Sequence, residues 1–174
     1  ANAQRLGAVQ SVAGPFTSLD LDPPVFLAPM AGITDLPFRA LDVGFGAGLV
    51  VSEMVASQEM VQGKPGVRER AELGLDRTRS AVQIAGRDAD WMAEAARRVA
   101  GAGARIIDIN MGCPAKKVVN GLSGSALMRE PDHAISLVEA VVNAVDVPVT
   151  LKMRLGWDDN LINAPDIALS LIHI

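Results

Sequence analysis

The feature that most constrains the fold of this chain is a repeated alternation of short apolar segments with amphipathic segments. Apolar runs of strand length begin at Val25, Leu49, Ala81, Ile106 and Val149. Strands that are apolar on both faces and alternate with helices are typical of a parallel sheet covered by helices. The pattern therefore predicts an α/β protein in which a βα unit is repeated about five times.

Capping residues between the apolar runs mark the expected helix starts. Thr34 or Asp35 is placed to cap a first helix, and Asp88 or Asp90 to cap a later one. Short oxygen-bearing side chains at such positions accept hydrogen bonds from the free N–H groups of the first turn. Pro131 predicts another helix start, since proline is tolerated in a first turn.

Both a doubly wound sheet and a (β/α)8 barrel fit this alternation. No G-x-G-x-x-G motif follows the first strand, which weakens the dinucleotide-binding interpretation. Chemically distinctive residues lie instead at or just after the strand ends, namely Met30, Gln83, Asn110, Cys113 and Lys152. Barrel active sites lie at that edge, and a complete barrel needs about 250 residues. The 174 residues therefore predict a (β/α)8 TIM barrel truncated after about five βα units.

Composition narrows the class of protein. With 16 basic and 20 acidic residues the net charge is −4, which excludes a generally cationic nucleic-acid-binding surface but leaves room for a local basic patch. A single cysteine excludes a disulfide framework and a cysteine-rich zinc site. The sequence shows no metal-ligand spacing, no membrane-spanning run and no signal segment, so we expect a soluble cytoplasmic protein without a metal.

Cys113 lies in a turn between Gly112 and Pro114, just after the fourth predicted strand. A free cysteine is most often a small buried hydrophobe. At the catalytic edge of a barrel, a thiol with its ordinary pKa of about 8.5 is instead a candidate acid. Lys116 and Lys117 nearby also allow a thiolate nucleophile. Spacing alone leaves the three roles open.

Lys152 and Gln83 lie at the ends of two predicted strands. A lysine there could bind an anionic group such as a phosphate, an enolate or a reduced flavin, or it could form a Schiff base. The simpler interpretation is an exposed lysine at a strand end. For Gln83 the simpler reading is a hydrogen bond to neighbouring backbone.

Six motifs carry a resemblance to a known family. They are APMAGITD (28–35), PFR (37–39), VQIAG (82–86), DINMGCP (108–114), KKV (116–118) and LKMRLGW (151–157). Their order and spacing resemble the bacterial B-type branch of the tRNA-dihydrouridine synthases, over about residues 20–168. The resemblance implies a flavin-dependent barrel followed by a small helical domain. It implies reduction of the C5–C6 double bond of uridine in tRNA, with FMN as cofactor and NADPH as electron source.

The resemblance also assigns residues to the cofactor. It implies that Pro29, Met30 and Ala31 pack on the FMN ring and that Gln83 hydrogen-bonds the isoalloxazine edge. It places Lys152 near the flavin N1/O2 edge, where the positive charge would stabilise the anionic hydroquinone. Reduced FMN would deliver hydride to C6 of the uracil.

For the substrate, the resemblance implies that Cys113 protonates C5 and that Asn110 lies near the uracil. The target base must leave its stack to reach the flavin. Basic residues that are candidates for a tRNA-facing rim, with ordinary solvated charge as the alternative, are Lys116, Lys117, Arg129 and Arg154.

The resemblance divides the chain and limits what it can do alone. Residues 1–168 correspond to the N-terminal part of the flavin barrel, so the second half-barrel and the helical tRNA-binding domain are expected to be absent. Residues 169–174 are what CTGTCTCTTATACACATC encodes, which resembles a sequencing-adapter end, so we expect this tail to be foreign. The alternatives are a flavin barrel that acts on a free pyrimidine or dihydroorotate, and a catalytically inactive fragment.

Overall fold

The computed structural model describes residues 19, 21–74 and 77–174. Within them lie six β-strands, and every pairing between these strands is parallel. The strands are β1 (Phe26–Leu27), β2 (Leu49–Val51), β3 (Val55–Ala56), β4 (Ser80–Ala85), β5 (Ile106–Met111) and β6 (Val149–Met153). They are joined in the order β1-β2-β4-β5-β6, and β3 pairs with β4 beyond the end of β2.

Seven α-helices lie between or after the strands of the described part of the chain. They are α1 (Leu36–Gly44), α2 (Ser57–Val61), α3 (Val67–Arg70), α4 (Ala89–Gly101), α5 (Lys116–Val119), α6 (Pro131–Val142) and α7 (Ala164–Leu171), with 3-10 turns at Arg77–Arg79 and Gly124–Arg129. The caps are as predicted: the Phe38 amide donates to Asp35 and the Trp91 amide to Asp88, each at 3.0 Å. Pro131 is the first residue of α6.

The strand order decides between the two predicted architectures. A doubly wound sheet reverses its strand order at a switch point. Here the strands β1, β2, β4, β5 and β6 lie side by side in the order in which they occur in the chain. The α/β fold is therefore that of a truncated (β/α)8 TIM barrel, as predicted. All five predicted strands form, and β3 is an addition that the sequence analysis did not predict.

One face of the sheet packs against the helices. Alternate strand residues point to opposite faces, and on this face β4 and β5 present mainly apolar side chains, which are buried against α4 and α6. The exception is Ser80 at the start of β4, whose hydroxyl donates to the Leu73 carbonyl. The residues at this contact are Val82, Ile84, Ile107, Ile109, Met111, Met92, Ala96, Leu137 and Val141. These side chains belong to the largest cluster of buried apolar residues in the described ranges, and burial of apolar surface stabilises the folded state.

The opposite face, which we call the inner face, carries two layers. The layer near the start of the strands is apolar and includes Leu49, Val51, Ala81 and Ile106. Two residues further along β4 and β5 the character changes, and the same face presents buried polar side chains. The inner face thus has an apolar layer near the start of the strands and a polar layer near their C-terminal edge.

The longest described helix, α4, has 13 residues. None of the helices in the described ranges combines the length and the apolar character that a membrane crossing requires.

Candidate active site

Four side chains of the inner face form a continuous hydrogen-bonded set across β4, β5 and β6. Thr150 Oγ1 donates to Asp108 Oδ1 at 2.6 Å, and Gln83 Nε2 donates to Asp108 Oδ2 at 2.6 Å. Asn110 Nδ2 then donates to Gln83 Oε1 at 2.8 Å. We call these four residues the polar chain. Strand register explains the set, because Asp108 lies opposite Gln83 on one side and Thr150 on the other.

Three of the four residues of the polar chain are buried, and Thr150 is half-buried. Gln83 is 1 % exposed, Asp108 7 % and Asn110 8 %. Burial raises the pKa of the Asp108 carboxyl, and this effect is opposed by the hydrogen bonds from Thr150 and Gln83 and by the charge of Lys152. A buried polar group without a partner is costly, so these mutual hydrogen bonds are what allows a polar layer inside the sheet.

The polar chain continues into the loop that carries Cys113. Asn110 Oδ1 accepts hydrogen bonds from the backbone N–H groups of Gly112 at 3.1 Å and Cys113 at 3.0 Å. On its other side, the Cys113 carbonyl accepts from Ser125 N at 3.0 Å. The half-buried thiol therefore lies in a loop beyond β5, as the sequence predicted, on a backbone held from two directions.

The segment after this loop approaches Cys113 closely. Gly124 has a φ of +61°, and a Cβ atom there would lie 2.6 Å from the Cys113 carbonyl oxygen. A side chain at this position would displace the Cys113 backbone or break the hydrogen bond from Ser125, so the site requires glycine. A third tether comes from Arg154, the residue that follows β6, whose Nε donates to the Gly112 carbonyl at 2.7 Å.

Lys152 lies on β6 directly opposite Asn110 on β5. Its side chain is exposed. The inner face alternates along β6, so Thr150 and Lys152 point the same way, toward the polar chain. The structure thus brings three predicted site residues, Gln83, Asn110 and Lys152, together at one edge of the sheet.

The loop after β1 holds the three remaining residues predicted to contact the cofactor. Pro29 is half-buried, and Met30 and Ala31 are exposed. The loop is closed by Thr34, whose Oγ1 accepts from Met30 N at 3.1 Å and whose backbone N donates to Met30 O at 3.0 Å. In the sheet order β1-β2-β4, this loop lies two strands from Gln83 at the same edge.

The four basic residues of the predicted rim are not equivalent. Lys116 and Lys117 begin α5 and are exposed. The Arg129 guanidinium stacks over the Trp157 ring at 4.4 Å from its centroid, and Arg154 is bound to the Gly112 loop. Of these four residues, Arg129 and Arg154 contact other parts of the chain, whereas the two lysines are exposed without a comparable contact. A tRNA-facing rim remains a prediction.

Two members of the polar chain, Asp108 and Thr150, were not predicted as site residues from the sequence. The available signal was a carboxylate within an apolar strand, two residues from Asn110 and so in phase with it. Thr150 carried no signal of its own, because only strand pairing brings it to Asp108.

Within the described ranges, no group of three histidine, cysteine, aspartate or glutamate side chains is placed to hold a metal ion.

Comparison with known proteins points to one family. Residues 26–172 match the family model described as dihydrouridine synthase. The chain is 68 % identical over 152 residues to a probable tRNA-dihydrouridine synthase of Rhodobacter capsulatus, covering 87 % of this chain and 47 % of that protein. It is 52 % identical over 155 residues to tRNA-dihydrouridine synthase B of Xanthomonas campestris, covering 89 % of this chain and 46 % of that protein. The chain thus spans about half the length of the curated relatives it matches.

Proposed function

The chain belongs to the dihydrouridine synthase family, and from this membership we propose that the full-length protein reduces uridine to 5,6-dihydrouridine in tRNA. The relatives described above are named as tRNA-dihydrouridine synthases, and one of them is of the B type, as the motifs predicted. The observation that best supports the reaction is the hydrogen-bonded connection from Gln83 through Asn110 to the backbone of Cys113. It joins a residue predicted to bind the cofactor to the predicted acid.

We propose FMN as the cofactor and NADPH as the electron source. The residues present fit a flavin ring, which carries carbonyl oxygens and ring nitrogens along one edge. After the hydrogen bonds of the polar chain, the amides of Gln83 and Asn110 each retain one N–H donor, and Lys152 offers an exposed ammonium group. Met30 provides an exposed apolar side chain at the same edge of the sheet. A bound flavin supplies the hydride that reduces the C5–C6 bond.

Within this proposal Cys113 holds a proton at Sγ and delivers it to C5 of the uracil. Proton transfer requires the donor to be held within reach of the receiving atom. The Cys113 backbone is held by Asn110 on one side and Ser125 on the other, which leaves only side-chain rotation to place Sγ. Such fixed placement lowers the entropic cost of bringing acid and base together.

The proposed role of Lys152 is electrostatic. Its ammonium group would lie beside the flavin edge, where a positive charge favours the form of the ring that carries negative charge. Its position opposite Asn110 on the neighbouring strand supports this assignment.

The tRNA would be bound mainly by a part of the protein outside this chain. The net charge of −4 provides little general attraction for a polyanion. We propose that residues 1–168 form the first part of the flavin barrel, that the other half-barrel and a helical domain complete it, and that Lys116 and Lys117 contribute at the rim. The target uridine would be unstacked, and recognition would depend largely on RNA shape and phosphates. The place of action would be the cytoplasm, where tRNA is modified.

The test is made on the full-length protein. We expect purified protein to carry FMN and, with NADPH, to form dihydrouridine in tRNA that lacks this modification, as measured by nucleoside mass spectrometry. Free uridine and dihydroorotate are the matched controls. Turnover of either free compound without activity on tRNA would contradict the proposal and favour a flavin barrel for small pyrimidines.

A further inference from the structure

We propose that Asp108 is a positioning residue that fixes the direction of the hydrogen bonds through Gln83 and Asn110 and thereby holds the backbone of Cys113 in place. The proposal rests on the proposed function in one respect, namely that Cys113 is the residue that meets the substrate. The structural part concerns contacts of this chain alone and is tested without cofactor or substrate.

The two ends of this connection differ in the hydrogen bonds that they can form. Both side-chain oxygens of Asp108 accept hydrogen bonds here, whereas the backbone N–H groups of Gly112 and Cys113 can only donate them. Between these ends lie two side-chain amides, Gln83 and Asn110, each with one donating and one accepting end.

Only one orientation of the two amides satisfies both ends. Facing Asp108, Gln83 must present Nε2, which leaves Oε1 toward Asn110. Asn110 must then present Nδ2 to Gln83, which leaves Oδ1 for the N–H groups of the Cys113 loop. Turning either amide by half a turn would set donor against donor or acceptor against acceptor.

Burial makes this directionality strict. Gln83 is 1 % exposed and Asn110 8 %, so water cannot readily satisfy a misoriented amide. Thr150 donates to the second oxygen of Asp108 and so fixes the carboxylate itself. Within the described ranges, Asp108 and Asn110 are the only side chains that hydrogen-bond to the side-chain amide of Gln83.

Two substitutions separate the position of the Asp108 oxygen from its charge. Asp108→Asn keeps an acceptor in place for Gln83 without the charge, and its amide can donate to the Thr150 hydroxyl. Asp108→Glu keeps the charge but moves the oxygens by one methylene group. A positioning role predicts that Asn preserves the Cys113 loop and that Glu disturbs it, whereas a purely electrostatic role predicts the reverse.

The measurement is hydrogen exchange at the Gly112 and Cys113 amides of the full-length protein without flavin or tRNA, together with the alkylation rate of Cys113 by N-ethylmaleimide. For Asp108→Asn we expect both rates to stay close to those of the unmodified protein. For Asp108→Glu and Asp108→Ala we expect amide exchange to be about fivefold to tenfold faster. Thr150→Val is the matched control, and because Gln83 keeps its acceptor we expect a smaller effect.

Three results would overturn the proposal. The first is amide exchange in Asp108→Ala that is as slow as in the unmodified protein. The second is exchange in Asp108→Asn that is as fast as in Asp108→Glu. The third is an increase in exchange rate in Thr150→Val that equals the increase in Asp108→Ala. If the Glu and Ala variants fail to fold, the Asn variant alone still decides, because an unprotected Cys113 amide in a folded Asn variant contradicts the idea.

A kinetic measurement keeps this proposal separate from the proposed function. With tRNA as substrate, we expect Asp108→Glu to lower kcat more than it raises KM, and Asp108→Asn to recover part of that loss. If the unmodified protein forms no dihydrouridine, the proposed function fails, while the exchange experiment still tests the role of Asp108. An equal loss in the Asn and Glu variants would count against positioning.

Discussion

Asn110 on β5 and Lys152 on β6 lie directly opposite each other at the C-terminal edge of the sheet. Asn110 is buried and has its side-chain oxygen committed to the Cys113 loop, whereas Lys152 is exposed. One strand pair therefore presents a fixed amide donor and a free cation side by side. The arrangement separates residues that shape the site from residues that are available to a ligand, and each class predicts a different response to substitution.

Cys113→Ala tests the proposed acid. In the full-length protein we expect flavin to stay bound and to be reduced by NADPH, because the tethers of this loop are backbone groups. Dihydrouridine formation should fall by about 10² to 10⁴-fold, the usual contribution of a general acid. Single-turnover oxidation of the flavin by tRNA measures this step. An unchanged yield would remove Cys113 from the acid role.

Lys152→Ala tests the proposed cation beside the flavin. We expect weaker flavin binding or slower oxidation of reduced flavin by tRNA, by about tenfold or more, since an ionic partner is lost. Lys152→Arg is the matched control and should retain most of the binding because it keeps the charge. Flavin fluorescence titration gives the dissociation constant. If both binding and oxidation were unaffected, Lys152 would be an exposed strand-end residue without a role.

Asp108→Asn should change how stability depends on pH. Burial raises the pKa of this carboxyl in the folded protein above its ordinary value of about 3.9. The folded state therefore binds the proton more tightly than the unfolded state, and its stability falls as pH rises from about 4 through the raised pKa.

The asparagine variant has no such titration. The free energy of unfolding of Asp108→Asn minus that of the unmodified full-length protein should therefore increase as pH rises through this window and then level off. Urea unfolding at several pH values between 4 and 8 measures the difference. A gain largest at pH 4 and smaller above it would contradict the direction of the shift.

This chain expressed alone should bind FMN weakly or not at all. In its described part, β1 and β6 are each paired on one side only, and such open sheet edges favour aggregation or pairing with another chain. Gel filtration with detection at flavin and protein wavelengths checks this, with the full-length protein as control. Stoichiometric flavin retained by residues 1–174 would show the expectation to be wrong.

The proposal that residues 169–174 derive from a sequencing adapter is tested on the source DNA. A long read across the codon for Ala168 should continue into further barrel strands and a helical domain. Genomic DNA that itself encodes Leu169 to Ile174 followed by a stop codon would disprove it. The chain would then be a genuine short protein, and a barrel completed by a partner would become the leading interpretation.

Much of the fold could be predicted because it depends on local patterns. The apolar runs that became β4 and β5, and the caps Asp35 and Asp88, act within a few residues of where they stand in the chain. Strand β3 escaped prediction because Val55 and Ala56 lie in an apolar run of only three residues, between Glu53 and Ser57. The equally short β1 was predicted because it lies within the longer apolar run that begins at Val25. Strand β3 forms because pairing with the end of β4 is available there.

The candidate site divides in the same way. The sequence by itself determined the α/β architecture and which chemical groups stand at the strand ends, among them Gln83, Asn110 and Lys152, because apolar periodicity and turn residues are local properties. Only the tertiary structure decided which groups meet. The bond from Thr150 to Asp108 joins residues 42 positions apart in the chain. Strand register creates such contacts, and register follows from the packing of the whole sheet.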